Sequence, residues 1–434
     1  MIARGSSAAL LLAPLAVCGL GLEPASAQEA EAAGVAPADP APPAQTWASL
    51  LPYRPGDGIR GTLGPVDLRL RTRIHADLVV PDLDGVGDAL DKEFSTLTDI
   101  RRARLMIDAR GTEASGLRDL RVRGQMDFAD LQVRWLDLYV RYDGLLDVGP
   151  VVQSNVRAGE FREPFGLEAM TSVTYLPFIE RSTATSAFTP GRSRGAQVSL
   201  RSEGGLLHLG GFRRTSGLPF PDTLEKERAI TGRAVWQPGG EGLVQAGGSL
   251  SVRDPNGELL VFRARTGSRF FDRLVDTDRI VADAATVAGV EALFRSGRWN
   301  AQAEWFGLWV DGANGEPGES FLTGGYASAS VFLGEGSTRW FPMRGSLRAP
   351  DVAPIWSDAA PRWGEVEAVA RVSWTDLVDG SVNGGRVLDV EAGLNWYLTS
   401  TTRLMVHWLG VRAEDQGGSG VLGQALLGRI LIQI

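Results

Sequence analysis

From Val66 to Leu78 the chain alternates two kinds of residue: Arg69, Arg71, Arg73, His75 and Asp77 fall between Leu68, Leu70, Thr72, Ile74, Ala76 and Leu78. Successive side chains of a β-strand point to opposite faces, so this segment has one charged face and one largely apolar face. A soluble sheet can contain one such strand. The constraint comes from repetition, because similar segments recur to the end of the chain, and a closed ring of them is how a polypeptide crosses a bilayer without helices. The charged faces then line a water-filled interior.

The first residues support export. Arg4, an apolar stretch from Ala8 to Leu22 and the small residues Ala25-Ser26-Ala27 before Gln28 read as a signal peptide over residues 1–27. Leu15-Ala16-Val17-Cys18 is similar to a lipoprotein cleavage site, but Val17 occupies a position that calls for a small residue. Cys18 is the single cysteine in 434 residues, so the mature chain has no thiol for disulfides or thiolate metal sites. No later apolar run reaches the length of a membrane helix. Residues 28–60 are dominated by Ala, Pro and Glu, too few apolar groups to offset the entropy of ordering, and are read as a flexible periplasmic leader. Residues 61–434 are assigned to the barrel. A formal charge of -8 speaks against nucleic acid as a partner. The basic residues are almost all arginine, Lys92 and Lys226 being the two lysines. A guanidinium is permanently charged and holds anions in a planar fork, which an ammonium cannot do.

The fold class expected is all-β: a transmembrane antiparallel up-and-down barrel of about sixteen strands. Turn residues bound strand candidates at 66–79, 100–110, 118–128, 132–142, 152–162, 195–202, 206–213, 229–237, 243–253, 286–295, 299–310, 321–333, 364–377, 387–398, 402–412 and 421–434. The even count puts both termini on the periplasmic side. Short connections such as Glu203-Gly204-Gly205 and Ser296-Gly297-Arg298 then fall inside, and the long stretches 80–99, 214–228 and 254–285 fall outside, the asymmetry such barrels show. The stretch 334–363, long and rich in Pro and Trp, falls on the periplasmic side and breaks that rule, so it is either an unusual turn or a hidden hairpin.

Energy assigns the faces. Arg102, Arg104 and Asp108 alternate with Ala103, Leu105 and Ile107, and Arg121 and Arg123 alternate with Leu120 and Val122. An arginine on the lipid face at the bilayer midplane costs about 2–4 kcal/mol, so these parities must face inward. Arg69, Arg71, Arg73, Arg102, Arg104, Arg121, Arg123, Arg157 and Arg201 are expected to form a basic wall, and Glu291, Glu304 and Glu367 an opposing acidic wall. Trp299, Trp305, Trp309, Trp396 and Trp408 suit aromatic girdles. Leu426, Ile430, Ile432 and Ile434 share one face of a closing strand. A soluble sandwich core is the competing reading of the same alternation.

The densest motif runs Gly159-Glu160-Phe161-Arg162-Glu163-Pro164-Phe165, then Glu180-Arg181, then Phe188-Thr189-Pro190-Gly191-Arg192. It resembles the phosphate-selective porin O/P family, in which a fifth strand reading Gly-x-Phe-Lys/Arg-x-Pro-Phe precedes a loop with Glu-Arg and Phe-x-Pro-x-Arg elements. Phe332-Leu333-Gly334-Glu335 and Gly393-Leu394-Asn395-Trp396-Tyr397 are similar to later strands of that family, so the resemblance spans about 66–434. It implies a sixteen-stranded trimeric channel in the outer membrane, whose third long loop folds into the lumen and whose arginines draw anions to a constriction. Residues 164–194 are placed there independently: Pro164, Pro177 and Pro190 interrupt them, and the apolar anchors Phe165, Leu176, Phe178 and Phe188 alternate with Arg181, Arg192 and Arg194. Arg162, within the motif, is assigned to the same anion-facing surface. The family's lysine cluster cannot be carried over, since no lysine lies between Lys92 and Lys226.

The function expected is a porin for passive diffusion of small anions, phosphate or polyphosphate among them, and of polar solutes. Outer-membrane lipid and two further copies of the chain are its expected partners, and no cofactor is needed. Catalysis has no visible apparatus: His75, His208 and His407 sit in no nucleophile or metal motif. A structural or adhesive barrel that does not conduct is the rival reading.

Overall fold

The computed structural model describes residues 53–54, 58–82, 97–129, 133–146, 149–214, 226–238, 243–355, 363–414 and 420–434. The signal peptide expected over 1–27, most of the leader expected over 28–60, and the loop tips 83–96 and 215–225 lie outside the described residues.

Sixteen antiparallel strands form one closed ring: β1 (Val66–Asp82), β2 (Leu97–Gly111), β3 (Leu120–Asp127), β4 (Arg134–Asp143), β5 (Gln153–Arg162), β6 (Arg192–Arg201), β7 (Gly205–Arg214), β8 (Arg228–Trp236), β9 (Leu243–Asp254), β10 (Ala284–Ser296), β11 (Trp299–Asp311), β12 (Glu319–Phe332), β13 (Glu365–Asp379), β14 (Val382–Tyr397), β15 (Thr402–Glu414) and β16 (Gly420–Gln433). Each pairs with its neighbours in sequence, and β16 closes on β1 through partners such as Arg429↔Asp77 and Leu431↔His75. The order is that of an up-and-down barrel. Closure matters energetically, because an open edge in a bilayer would leave backbone N–H and C=O groups without partners.

The strand boundaries expected from turn residues lie close to these. The largest difference is at β14, which starts at Val382 rather than 387. Asn383-Gly384-Gly385 reads as a turn, yet the ladder to β13 continues through Asp379↔Val382 after a bulge, with Gly385 at φ 78°.

Face assignment follows the alternation. Leu78, Ile100, Val122, Val140, Leu209, Ile230, Val290, Val390, Leu394, Val406 and Ile430 are exposed on the outside, while the intervening Arg102, Gln125, His208, Arg233, Glu291, Arg371 and His407 are buried inside. Trp299, Trp396 and Trp408 are exposed on the outer face. Trp309 and Phe321 lie 5.0 Å apart across Gly307, where an added Cβ would meet three aromatic rings at 2.8–3.0 Å.

Four segments depart from a plain barrel. Residues 163–191 leave the wall after β5 and fold into the lumen as a loop with two short helices, α1 (Leu167–Met170) and α2 (Thr183–Phe188). The long external connection after β9 returns over it: a ribbon of Arg263–Arg265 with Arg273–Asp276 brings Ala264, Val275 and Ile280 into one apolar cluster with Ala184 and Phe188 of α2. The periplasmic stretch 334–363 contains a hairpin, Ser337–Phe341 with Ser346–Asp351, turned by Gly345 at φ 54°. This hairpin too folds inward, with Leu347 packed on Leu167 and Leu293. A further strand, Gly58–Leu63, pairs with β1 through Ile59↔Leu70, below the place where β16 ends against Thr72. The Ala/Pro/Glu composition upstream hid that strand, whose Ile59 and Leu63 are too few to signal periodicity.

A charge placed on the lipid face at mid-height tests the barrel directly. Val390→Arg is expected to lower folding stability in lipid vesicles by about 2–4 kcal/mol in a urea titration.

Candidate functional site

Fastening the inner loop uses the acids of one half of the barrel. Glu304 on β11 accepts the backbone N–H groups of Leu167 and Glu168, both at 2.7 Å, and the Tyr326 hydroxyl at 2.8 Å. Three donors thus converge on one buried carboxylate at the start of α1. Gly166 precedes it at φ 67°, and a Cβ there would sit 2.6 Å from Glu304 Oε1, so glycine is required for both reasons. Glu168 accepts Ser182 N and Oγ at 3.0 and 2.9 Å and an Arg371 N–H at 3.1 Å. Arg371 donates in turn to Glu391 at 2.5 Å and to the Glu180 carbonyl at 3.0 Å, with Phe178 against its guanidinium at 4.3 Å. Asn395 bridges the Pro177 carbonyl at 2.7 Å and Glu367 at 2.9 Å, and Thr183 donates to Asp389 at 2.8 Å. The anchors Phe165, Leu176, Phe178 and Phe188 are all buried.

Glu180 is the loop's link to the opposite wall. It accepts Arg102 at 2.6 and 2.8 Å, Arg429 at 2.7 Å and Arg101 at 3.2 Å. Burial by itself would raise the carboxyl's pKa, but Arg102, Arg101 and Arg429 outweigh it and hold the group well below the ordinary glutamate value. Arg429 is itself held by Asp77 at 2.6 Å and donates to the Ile179 carbonyl.

With the loop against β10–β15, the remaining lumen is a cavity of about 1400 Å³ bounded mainly by β1–β6, the loop and the periplasmic hairpin. Among the described residues its lining includes seventeen arginines and four carboxylates, Asp67, Asp108, Asp137 and Glu180. Of the arginines expected from sequence, Arg69, Arg71, Arg73, Arg102, Arg104, Arg121, Arg123, Arg157, Arg162, Arg181 and Arg192 lie on this lining. Arg194 and Arg201 do not: Arg194 has the outward parity of β6, 3.5 Å from Glu160, and Arg201 lies at the foot of that strand beside Gln153. Arg60, Arg101, Arg110, Arg141, Arg344 and Arg348 join the lining from positions that sequence reasoning passed over. Arg344 and Arg348 belong to the hairpin, which alternation over five residues did not reveal.

Glu291, Glu304 and Glu367 point inward but do not reach the cavity. Glu304 and Glu367 are covered by the loop. Glu291 takes Arg233 at 2.6 and 2.7 Å, and that guanidinium holds the hairpin through the Arg344 and Gly345 carbonyls at 2.7 Å each. In place of two facing walls of opposite sign, the surface of the cavity is predominantly basic and these three acids lie beneath it.

The lining arginines are spaced by few counter-ions. Asp108 serves both Arg71 at 2.6 Å and Arg123 at 2.5 Å. Arg192 pairs with Asp137 at 2.6 Å, and Arg104 with Asp127 at 2.8 Å. Arg157 has no carboxylate in its hydrogen bonds: it donates to Gln197 at 2.7 Å and rests 4.0 Å over the Phe161 ring. Arg181 uses its N–H groups on the carbonyls of Glu168, Ala169 and Thr171. Packed guanidiniums with shared or backbone acceptors retain a surplus of donors and positive potential toward the cavity.

The family model for phosphate-selective porin O and P matches residues 68–424. The chain belongs to this family. An uncharacterized protein of Caulobacter vibrioides is 25% identical over 379 residues, covering 83% of this chain and 70% of that one. Among solved structures, the outer membrane channel DcaP of Acinetobacter baumannii matches with a TM-score of 0.52 and 11% identity over 87% of this chain and all of that one. The in-vitro folded outer membrane protein OmpT of Vibrio cholerae, in its trimer form, matches with a TM-score of 0.51 and 8% identity over 85% and 99% of the two chains. These structures share the fold. As a porin O and P family member the protein is an outer-membrane porin, a channel of the bacterial outer membrane.

Glu180 sets two expectations that single-channel recording checks. Glu180→Gln removes the carboxylate shared by Arg101 and Arg102 of β2 and Arg429 of β16, loosens the loop from those strands and widens the pore, so conductance rises at neutral pH. In the native chain a depressed carboxyl pKa makes the anchoring stable above the unfolded value and lost as pH falls through the lower folded value. Conductance should therefore hold steady down to about pH 4, the ordinary glutamate value, and change only in more acidic solution.

Proposed function

We propose that this porin is an anion-preferring diffusion channel. One observation carries the reading: a cavity of about 1400 Å³ bordered, among the described residues, by seventeen arginines and four carboxylates. An anion entering it replaces lost hydration by charge-assisted hydrogen bonds, while a cation meets a positive field. The chain's charge of -8 does not oppose this, because among the described residues only four carboxylates lie on the cavity lining. Polar uncharged solutes pass at a lower rate through the same water.

Phosphate is the substrate the family's description suggests, and polyphosphate would present the same edges. Among the described residues the lining offers guanidinium forks and no lysine, and forks fit the tetrahedral edge of a phosphate and the planar edge of a carboxylate alike. Entry of chloride, phosphate and small carboxylates is the expected range. We also infer a homotrimer, supported by the trimer form of the structurally similar OmpT.

Planar-bilayer recordings under a KCl gradient test the proposal. The reversal potential should show chloride more permeant than potassium, and millimolar phosphate should reduce the chloride current. Arg69, Arg71 and Arg73 all replaced by Ser should bring the permeability ratio close to unity, with the heat-shifted gel band of the folded barrel retained. A cation-favouring reversal potential in the native protein would overturn the reading, and absence of current steps would instead favour a barrel that does not conduct.

A further inference from the structure

On the outer face the alternation fails at one height. Arg194 of β6, Arg213 of β7 and Arg228 of β8 stand directly opposite one another in register, Arg194↔Arg213 and Arg213↔Arg228. All three have the parity of lipid-facing neighbours such as Leu207, Leu209 and Ile230, which are exposed. Like charges opposite each other on one face of a sheet repel. The row is bounded by acids, Glu160 being 3.5 Å from Arg194 and Asp254 standing opposite Arg228 in register. Arg213, in the middle, has an arginine on each side. Elsewhere on the rim the opposite arrangement holds: Arg386 of β14 is flanked by Asp376 at 3.0 Å and Glu414 at 3.4 Å.

The height of the row is informative. Trp236, exposed at the other end of β8, lies eight residues from Arg228. At the usual strand rise and barrel tilt that separation is roughly 20 Å along the membrane normal, close to the height of an apolar band. The three arginines therefore sit at the external edge of the hydrocarbon layer, with exposed Lys226 just above them. Headgroups lie at that level. Exposed Leu250 and Val252 on β9 and Leu209 and Ile230 below the row give acyl chains a surface to rest on.

We infer that the outer face of β6–β8 binds the anionic headgroup of an outer-leaflet lipid, centred on Arg213. Charge complementarity selects that occupant over a zwitterionic lipid: one phosphate or carboxylate between Arg213 and its two neighbours converts repulsion into charge-assisted hydrogen bonds, while the arginine stems lie along the apolar wall. The inference is independent of pore selectivity.

The test uses the full chain in nanodiscs of phosphatidylcholine doped with diphosphoryl lipid A, and native mass spectrometry of the lipids retained on release. The protein should retain lipid A in preference to phosphatidylcholine. Arg213→Gln should lower that enrichment about fivefold, the size expected for one basic residue at a charged membrane surface, and the triple variant R194Q/R213Q/R228Q should abolish it. Single-channel conductance and the heat-shifted gel band report folding of each variant, and R213Q suffices if the triple variant does not assemble. Equal enrichment in the native protein and R213Q would overturn the proposal, as would loss of lipid A to millimolar inorganic phosphate, which would mark a free-anion site. Dissociation of subunits in the variants would also overturn it, since the row would then belong to a protein interface.

Discussion

A carboxylate inside a barrel must meet water or a donor, and in this molecule Glu304, Glu367, Asp389 and Glu391 meet donors on or linked to the inner loop. An unpartnered buried charge costs several kcal/mol, so these four acids and the loop that satisfies them form one unit. The loop contributes backbone N–H groups, the Thr183 hydroxyl and carbonyls that Arg371 and Asn395 can reach. It also brings Phe165 and Phe188 against Phe306, within an apolar cluster that includes the inward-facing Val287, Leu308 and Leu322 of the wall. Position follows from this: the loop leans on β10–β15, and what stays open is the arginine-rich half.

Much of the barrel was legible because its period is two and because the energy of a misplaced arginine is large. Arg69, Arg71 and Arg73 cannot face acyl chains, and once they face inward every neighbouring parity is set. The inner loop was legible too, through Pro164, Pro177 and Pro190 and the anchors between them. What alternation cannot tell is whether an inward group is wet. Glu304 and Arg123 have the same periodic signature, yet one is roofed by α1 and the other borders the cavity. That difference is decided by contacts between residues 136 or more positions apart, such as Glu304 with Glu168, and no local pattern encodes them. Arg194 shows a related limit, since Gly195 and Ser193 flank it and give no apolar partner from which to judge its parity.

The periplasmic hairpin was hidden for a different reason. Its strands are five and six residues long, below the length at which alternation is distinguishable from chance, and Pro342 and Gly345 read simply as loop residues. It is nevertheless well held. Arg233 is fully covered, and its guanidinium divides between Glu291 and the two carbonyls at the hairpin turn. An arginine in this role needs both its charge and its planar fork, which a lysine does not supply. The same buried pair therefore neutralises an inward acid and positions Arg344 over the lumen.

Arginine thus performs two separable tasks here, distinguished by what faces its guanidinium. Against carboxylates and carbonyls, as in Arg233, Arg371 and Arg429, it fastens inserted segments to the wall. Toward the cavity, as in Arg123 and Arg157, it shares a scarce carboxylate or rests on an aromatic ring and keeps donors turned to water. A guanidinium does not lose its proton at any pH a cell meets, so the potential of the open half is permanent. Glu180, which ties the loop to this basic half, is held well below the ordinary glutamate value by Arg102, Arg101 and Arg429, so the tie outlasts moderate acidification.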